Sequence, residues 1–144
     1  MKSKVGIFFV GMAALGLLLV GSFAQASPVG AEPPPLSAPP EVVVWHDGGP
    51  YPWLRESIIL AAAHTIGISV EEVKHGLRAG HSLKEIAARH GVRPPELMRG
   101  ILEFERHFLA RKVAAGELTR PEAARILDFL TEHIERIINY HPSP

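Results

Sequence analysis

Eight histidines stand in a chain of 144 residues that has no cysteine. Imidazole is a common ligand for zinc, copper and nickel, and it also suits acid–base work near neutral pH. Three histidines have a carboxylate four residues away: Glu71 with His75, His81 with Glu85, and Glu103 with His107. On a helix that spacing puts both groups of a pair on one face. Each pair offers only two ligands, whereas a zinc site takes three or four from the protein. No two histidines stand three or four apart. The pattern predicts surface side chains making local contacts, with no metal and no cofactor.

Nucleophiles are equally scarce. Ser69, Ser82 and Thr119 each have a glutamate three residues on, the arrangement of a capping box, so their hydroxyls are committed to starting helices. Ser57, Thr65 and Thr131 have no histidine and carboxylate at a spacing that marks a triad. The chain contains no HExxH and no glycine-rich phosphate loop. Without cysteine there is no thiolate nucleophile, zinc–thiolate site or disulfide. No catalytic residue is expected, and the protein reads as a non-enzyme.

The elements that would position these side chains are helices. Residues 53–66 place Leu54, Ile58, Ala61 and Ala62 on one face, with Gly67 as the stop. The boxes at Ser69 and Ser82 open helices over residues 70–78 and 83–90, closed by Gly80 and Gly91. Pro94 then sits where a first helical turn tolerates proline, opening a long helix over residues 94–115. Gly116 stops it, and the box at Thr119 opens a last helix over residues 120–139. Leu97, Met98, Ile101, Leu102, Phe104, Phe108, Leu109 and Val113 face Ala123, Leu127, Leu130, Ile134 and Ile137, the latter at alternating spacings of four and three. Two such helices joined by a short turn predict an antiparallel hairpin. Arg99, Glu103, Arg106, Arg125, Asp128, Glu132 and Arg136 read as its solvated faces, and Glu105 reads as exposed with them. The helices carry an echo 24 residues apart, GISVEEVKHGL against GVRPPELMRGI, which aligns Gly67 with Gly91, Glu72 with Glu96 and Gly76 with Gly100.

The expected architecture is therefore all-α: a small bundle of about five helices over residues 53–140, ending in the hairpin and followed by a tail at 141–144. What precedes it differs in kind. Lys2 and Lys4, an uncharged apolar run over residues 5–20 and the small-x-small pattern Ala24, Gln25, Ala26 predict a secretory signal peptide over residues 1–26. Its removal takes two of the 15 basic residues and leaves 13 against 15 acidic ones. Such a balance offers little to a polyanion. Residues 27–52 hold eight of the 13 prolines and read as an unpacked linker. Within it the β-prone run Val42, Val43, Val44, Trp45 predicts a short extended segment that docks through Trp45 and Trp53.

Three resemblances follow from these residues. SLKEIAARHGVRPPELMRGI, with Ile86, Ala87, Gly91, Val92 and Leu97 in register, resembles a helix-turn-helix. Its second helix opens Pro94, Pro95, Glu96, which is poor chemistry for base edges, and export disfavours DNA further; no nucleic acid is expected. AGHSLKEIAARHGVRPPELMRG looks like the first half of a LysM module, which implies peptidoglycan or other glycan binding between two β-strands. The order GISVEEVKHGLRAGHSLKEIA, a GV-started helix and AAGELTRPEAARILDFL is similar to exported bacterial all-helical proteins of unknown function, which implies a helical bundle and no transferable site. The working expectation is an exported, secreted or periplasmic cell-envelope protein that binds an envelope protein or itself without catalysis, with glycan binding as the alternative and metal-binding or chaperone-like roles behind it. Ile126, Phe129, Ile138 and Tyr140 flank the seam of the last helix as surplus apolar surface. With Trp45 and Trp53 they are the candidate partner-binding residues.

Overall fold

A computed structural model describes residues 36–46 and 49–143. The signal peptide expected over residues 1–26, the linker up to residue 35 and the turn residues Asp47 and Gly48 lie outside them. The described residues form six α-helices and no strand: α1 (Pro40–Trp45), α2 (Leu54–Ile66), α3 (Val70–Arg78), α4 (Leu83–Arg89), α5 (Pro94–Ala114) and α6 (Arg120–Asn139).

Local chemistry accounts for most of the boundaries. Ser69, Ser82 and Thr119 each accept a bond from the backbone N–H three residues on, while Glu72, Glu85 and Glu122 reach back to the cap N–H at 3.0, 2.9 and 2.7 Å. Glu96 does the same for the N–H of Arg93 at 3.2 Å and also accepts from its guanidinium at 2.6 Å. Gly67 and Gly91 take φ of 82° and 76°, a left-handed turn that a side chain would strain. The echo thus repeats a stop and a cap.

Its third matched position has a different cause. A Cβ on Gly76 would lie 2.6 Å from Ile86 Cδ1, and one on Gly100 would overlap Thr65 Cγ2 and Oγ1. Both glycines are places where a neighbouring helix comes too close for alanine. Thr65 cannot easily swing away, because its hydroxyl donates to the Ala61 carbonyl at 2.8 Å. Gly100→Ala gains about 1 kcal/mol of helix propensity but incurs overpacking of about 1–3 kcal/mol. A net loss of about 1 kcal/mol is expected in urea unfolding, and Thr65→Ala in the same chain should recover most of it.

α2 and α5 run antiparallel along each other. Trp53 at the start of α2 meets Phe108 at 5.6 Å between ring centroids, His64 near its end meets Phe104 at 5.9 Å, and Thr65 meets Gly100. α6 returns after residues 115–119 and packs on α5, and α4 and α1 pack on α6 as well. Leu54, Ile58, Leu83, Leu97, Ile101, Ile126, Leu130, Ile137 and Ile138 are among the fully buried side chains at the centre.

The N-terminal VVVW run departs from expectation. It is not extended but helical, as α1, with Pro40 in the first turn and Val43, Val44 and Trp45 buried. β-propensity spans only about 1 kcal/mol, whereas burying a valine or larger side chain is worth about 1.5–3 kcal/mol. The helical turn puts three apolar residues onto α2 and α6 at once, so packing wins. Two further contacts pin α1: Glu41 accepts from Arg136 Nε and Nη2 at 3.1 and 3.0 Å, and the Trp45 and Tyr140 rings stack at 5.6 Å and 9°.

Candidate functional site

α1 and α3 both pack on α2 but not on each other. Between them lies a cleft of about 620 Å3. Its floor is α2, through Arg55, Glu56 and Ile59. One wall is α3, with Lys74, Leu77 and Arg78; the other is Trp45, His46, Tyr140, Pro142 and Ser143. Sequence order explains the composition: α3 turns Val73 and Leu77 inward, which leaves Lys74 and Arg78 at the edge.

Among the described residues Arg55, Lys74 and Arg78 line the cleft with one carboxylate, Glu56, which holds Lys74 Nζ at 2.9 Å. Arg78 reaches Glu71 at 3.6 Å, with both side chains largely exposed, and its Nε donates to the Lys74 carbonyl at 3.2 Å. Exposed pairs of this kind add little stability, of the order of 0–1 kcal/mol, so exchanging their partners costs little. Opposite them Tyr140 is half-buried and backed by Trp45.

Candidate residues from the sequence are distributed unevenly around this site. Trp45 and Tyr140 line the cleft. Trp53 lies elsewhere, on the α2–α5 face, 5.7 Å from the Tyr51 ring and 4.8 Å beneath Lys112 Nζ. Ile126, Phe129 and Ile138 are 0, 6 and 1% exposed, so the surplus apolar surface expected on α6 is used within the chain. α1, α4 and α5 all pack on α6, and α1 supplies the cover that the apolar pattern of α6 alone does not disclose. The LysM-like residues 79–100 form α4 and the start of α5, flanked by α3 and the rest of α5 rather than by strands. The histidines do not converge: among the described residues no group of three or more potential ligands is placed to hold a metal. His81 instead contacts Arg89 at 3.0 Å and stands 3.8 Å from Glu85.

No protein-family model matches the chain, and neither a curated protein nor a solved structure shows significant similarity to it. The cleft has to be read from its own chemistry. That chemistry is cationic on one wall and aromatic on the other.

A second unusual group lies in the core. Glu105 is fully buried, not on the solvated face with Glu103. It occupies the inner stripe of α5 at four-residue spacing with Leu97, Ile101 and Leu109. Neither carboxylate oxygen has a hydrogen-bond partner among the described residues. Burial pushes its carboxyl up to about 7, and the Ser57 hydroxyl on α2, already donating to the Leu54 carbonyl at 2.9 Å, draws it back only in part. The four-residue spacing from Leu97 to Leu109 is the sequence signal that places Glu105 inside.

Proposed function

We propose that this chain is an exported, non-catalytic helical module whose working surface is the cleft between α1, α2 and α3. The supporting observation is that cleft: about 620 Å3, within the roughly 300–1,000 Å3 typical of ligand sites, with Trp45, Ile59, Leu77 and Tyr140 beside the charged Arg55, Glu56, Lys74 and Arg78. The helical hairpin of α5 and α6 serves as its scaffold, and the partner is an envelope protein. Large apolar side chains on the rest of the described surface give a partner little to hold, Val42 and Leu60 being the exposed ones.

Purified protein incubated with solubilised envelope proteins, and separately with peptidoglycan, tests the reading. A discrete envelope protein should be retained, and Lys74→Glu with Arg78→Glu should lower retention by about tenfold or more without moving the melting temperature. Saturable sedimentation with peptidoglycan, abolished by substitutions within residues 80–94, would replace the protein partner with a glycan. Retention unchanged by the charge reversals would remove the cleft from the account.

A further inference from the structure

We infer that residues 141–143 form a strap that closes one end of the cleft, held shut by His141 on Glu85 and released when the imidazole gives up its proton. The inference concerns regulation of the cleft and rests on its being the working surface proposed above.

α6 ends at Asn139, and Tyr140 turns the backbone out of the helix into an extended conformation. The Tyr140 ring stays on Trp45 of α1, while the residues after it head for the opposite wall. The Pro142 carbonyl oxygen lies 4.0 Å from where a Cβ on Gly80 would stand, just past the end of α3. Pro142 and Ser143 thereby line the cleft beside Leu77 and Arg78. Little holds them there. The Tyr140 N–H still donates to the Ile137 carbonyl at 3.4 Å, but among the described residues 141–143 make no backbone hydrogen bond. Their polar tie is His141 Nε2 to Glu85 Oε2 at 3.2 Å.

Glu85 is a fixed post for that tie, because its carboxylate also accepts from the N–H of buried Ser82 at 2.9 Å. The Ser82 N–H first, and then His141, hold Glu85 below the usual carboxylate range, so it stays ionised down to pH 4.5. Imidazole ordinarily loses its charge near about pH 6.5. The pair is therefore ionic between about pH 4.5 and 6.5, and above that range its charge assistance is gone. His81, 3.8 Å from the same carboxylate and in contact with Arg89, competes for it when protonated. On the cleft side the strap meets His46, Arg55, Glu56, Lys74 and Arg78, of which Lys74 and Arg78 are paired with Glu56 and Glu71. An exposed ion pair is weak, so losing it raises the open-to-closed ratio about twofold to fivefold. A partner that needs the cleft open binds in proportion to the open share.

The chain has no cysteine, so Ser143→Cys gives the full-length protein one attachment point for a nitroxide. Relaxation enhancement at the amides of Leu77, Gly80 and His81, measured by NMR, then reads the share of molecules with the strap closed. From about pH 5.5 to about pH 8, either side of the imidazole range, the open-to-closed ratio should rise about twofold to fivefold. His141→Gln should show the alkaline ratio already at the lower pH. So should Glu85→Gln, which keeps the cap because glutamine serves in a capping box as glutamate does. Enhancement that ignores pH in the wild type, or keeps its pH response in both variants, would overturn the strap. Envelope-protein retention that depends on Lys74 and Arg78 would in that event leave the proposed function standing. A strap that opens with pH in a chain without such retention would do the reverse.

Discussion

Glu105→Leu should make the protein more stable, by about 2–3 kcal/mol at pH 8, although it removes a charge and adds none. An ionised carboxylate with no partner in an apolar core is costly, and an apolar side chain of similar volume relieves that cost. The effect should depend on pH in a definite direction. The carboxyl is raised from 4.5 to about 7 in the folded chain, so its contribution is fully present below pH 4.5, where both states hold the proton. Between pH 4.5 and about 7 the unfolded chain ionises while the folded chain does not. Stability then falls as pH rises, by up to about 1.4 kcal/mol per pH unit and about 3 kcal/mol across the window. The capping carboxylates Glu72, Glu85, Glu96 and Glu122 act oppositely. Bonds from the cap residues hold them below the usual range, and their contribution is lost as pH falls below 4.5. Wild-type stability should therefore peak near pH 4.5–5, and Glu105→Leu should flatten its alkaline side. Urea unfolding from pH 3 to 8 measures both. A wild type as stable at pH 8 as at pH 5 would show that Glu105 has a partner or reaches water.

Trp45→Ala should be nearly as large an effect, in the other direction. Trp45 is 7% exposed and stacked on Tyr140, and truncating a buried tryptophan costs about 3–5 kcal/mol. In a domain whose whole stability is of the order of 5–15 kcal/mol, that leaves little reserve. The Trp45 indole N–H, however, is buried without an acceptor among the described residues, a defect of about 1–3 kcal/mol. Trp45→Phe keeps a ring against Tyr140 and removes that defect, so it should cost less than about 1 kcal/mol. Were residues 27–52 an unpacked linker throughout, both substitutions would be silent. Thermal unfolding of the two variants distinguishes these outcomes.

What the sequence discloses and what it hides divide along the range of the interaction. Ser69 with Glu72, Ser82 with Glu85 and Thr119 with Glu122 are legible because donor and acceptor lie three residues apart and need nothing else. The bounds of α3 and α6 follow from them. α1 is not legible, since the valines decide in favour of a strand until α2 and α6, contributed by chain far downstream, reward a helix. The same missing cover makes Ile126 and Ile138 look spare. Arg136 shows the effect in a charged residue: it reads as part of a solvated ladder along the last helix, yet its carboxylate partner is Glu41, 95 residues away. The cleft is hidden for the same reason, its walls coming from three separate stretches of sequence. Glu105 is an exception, for its register with Leu97, Ile101 and Leu109 was visible throughout and its charge argued against believing it.

The seating of α1 on α6 also fixes an order in time. α1 lies near the start of the described chain and most of its cover near the end, so a growing or threading polypeptide presents Val43, Val44 and Trp45 with only α2 to pack on until the last helix arrives. α2, α3 and α4 can gather through contacts close in sequence, but the closing step must bring together segments about 95 residues apart, and such long closures are slow. Loss of the end of α6, by truncation or early cleavage, would leave that apolar turn covered by α2 alone at the opposite end of the chain. A protease or chaperone that tests for exposed apolar segments could then judge from the beginning of the chain whether its end is intact.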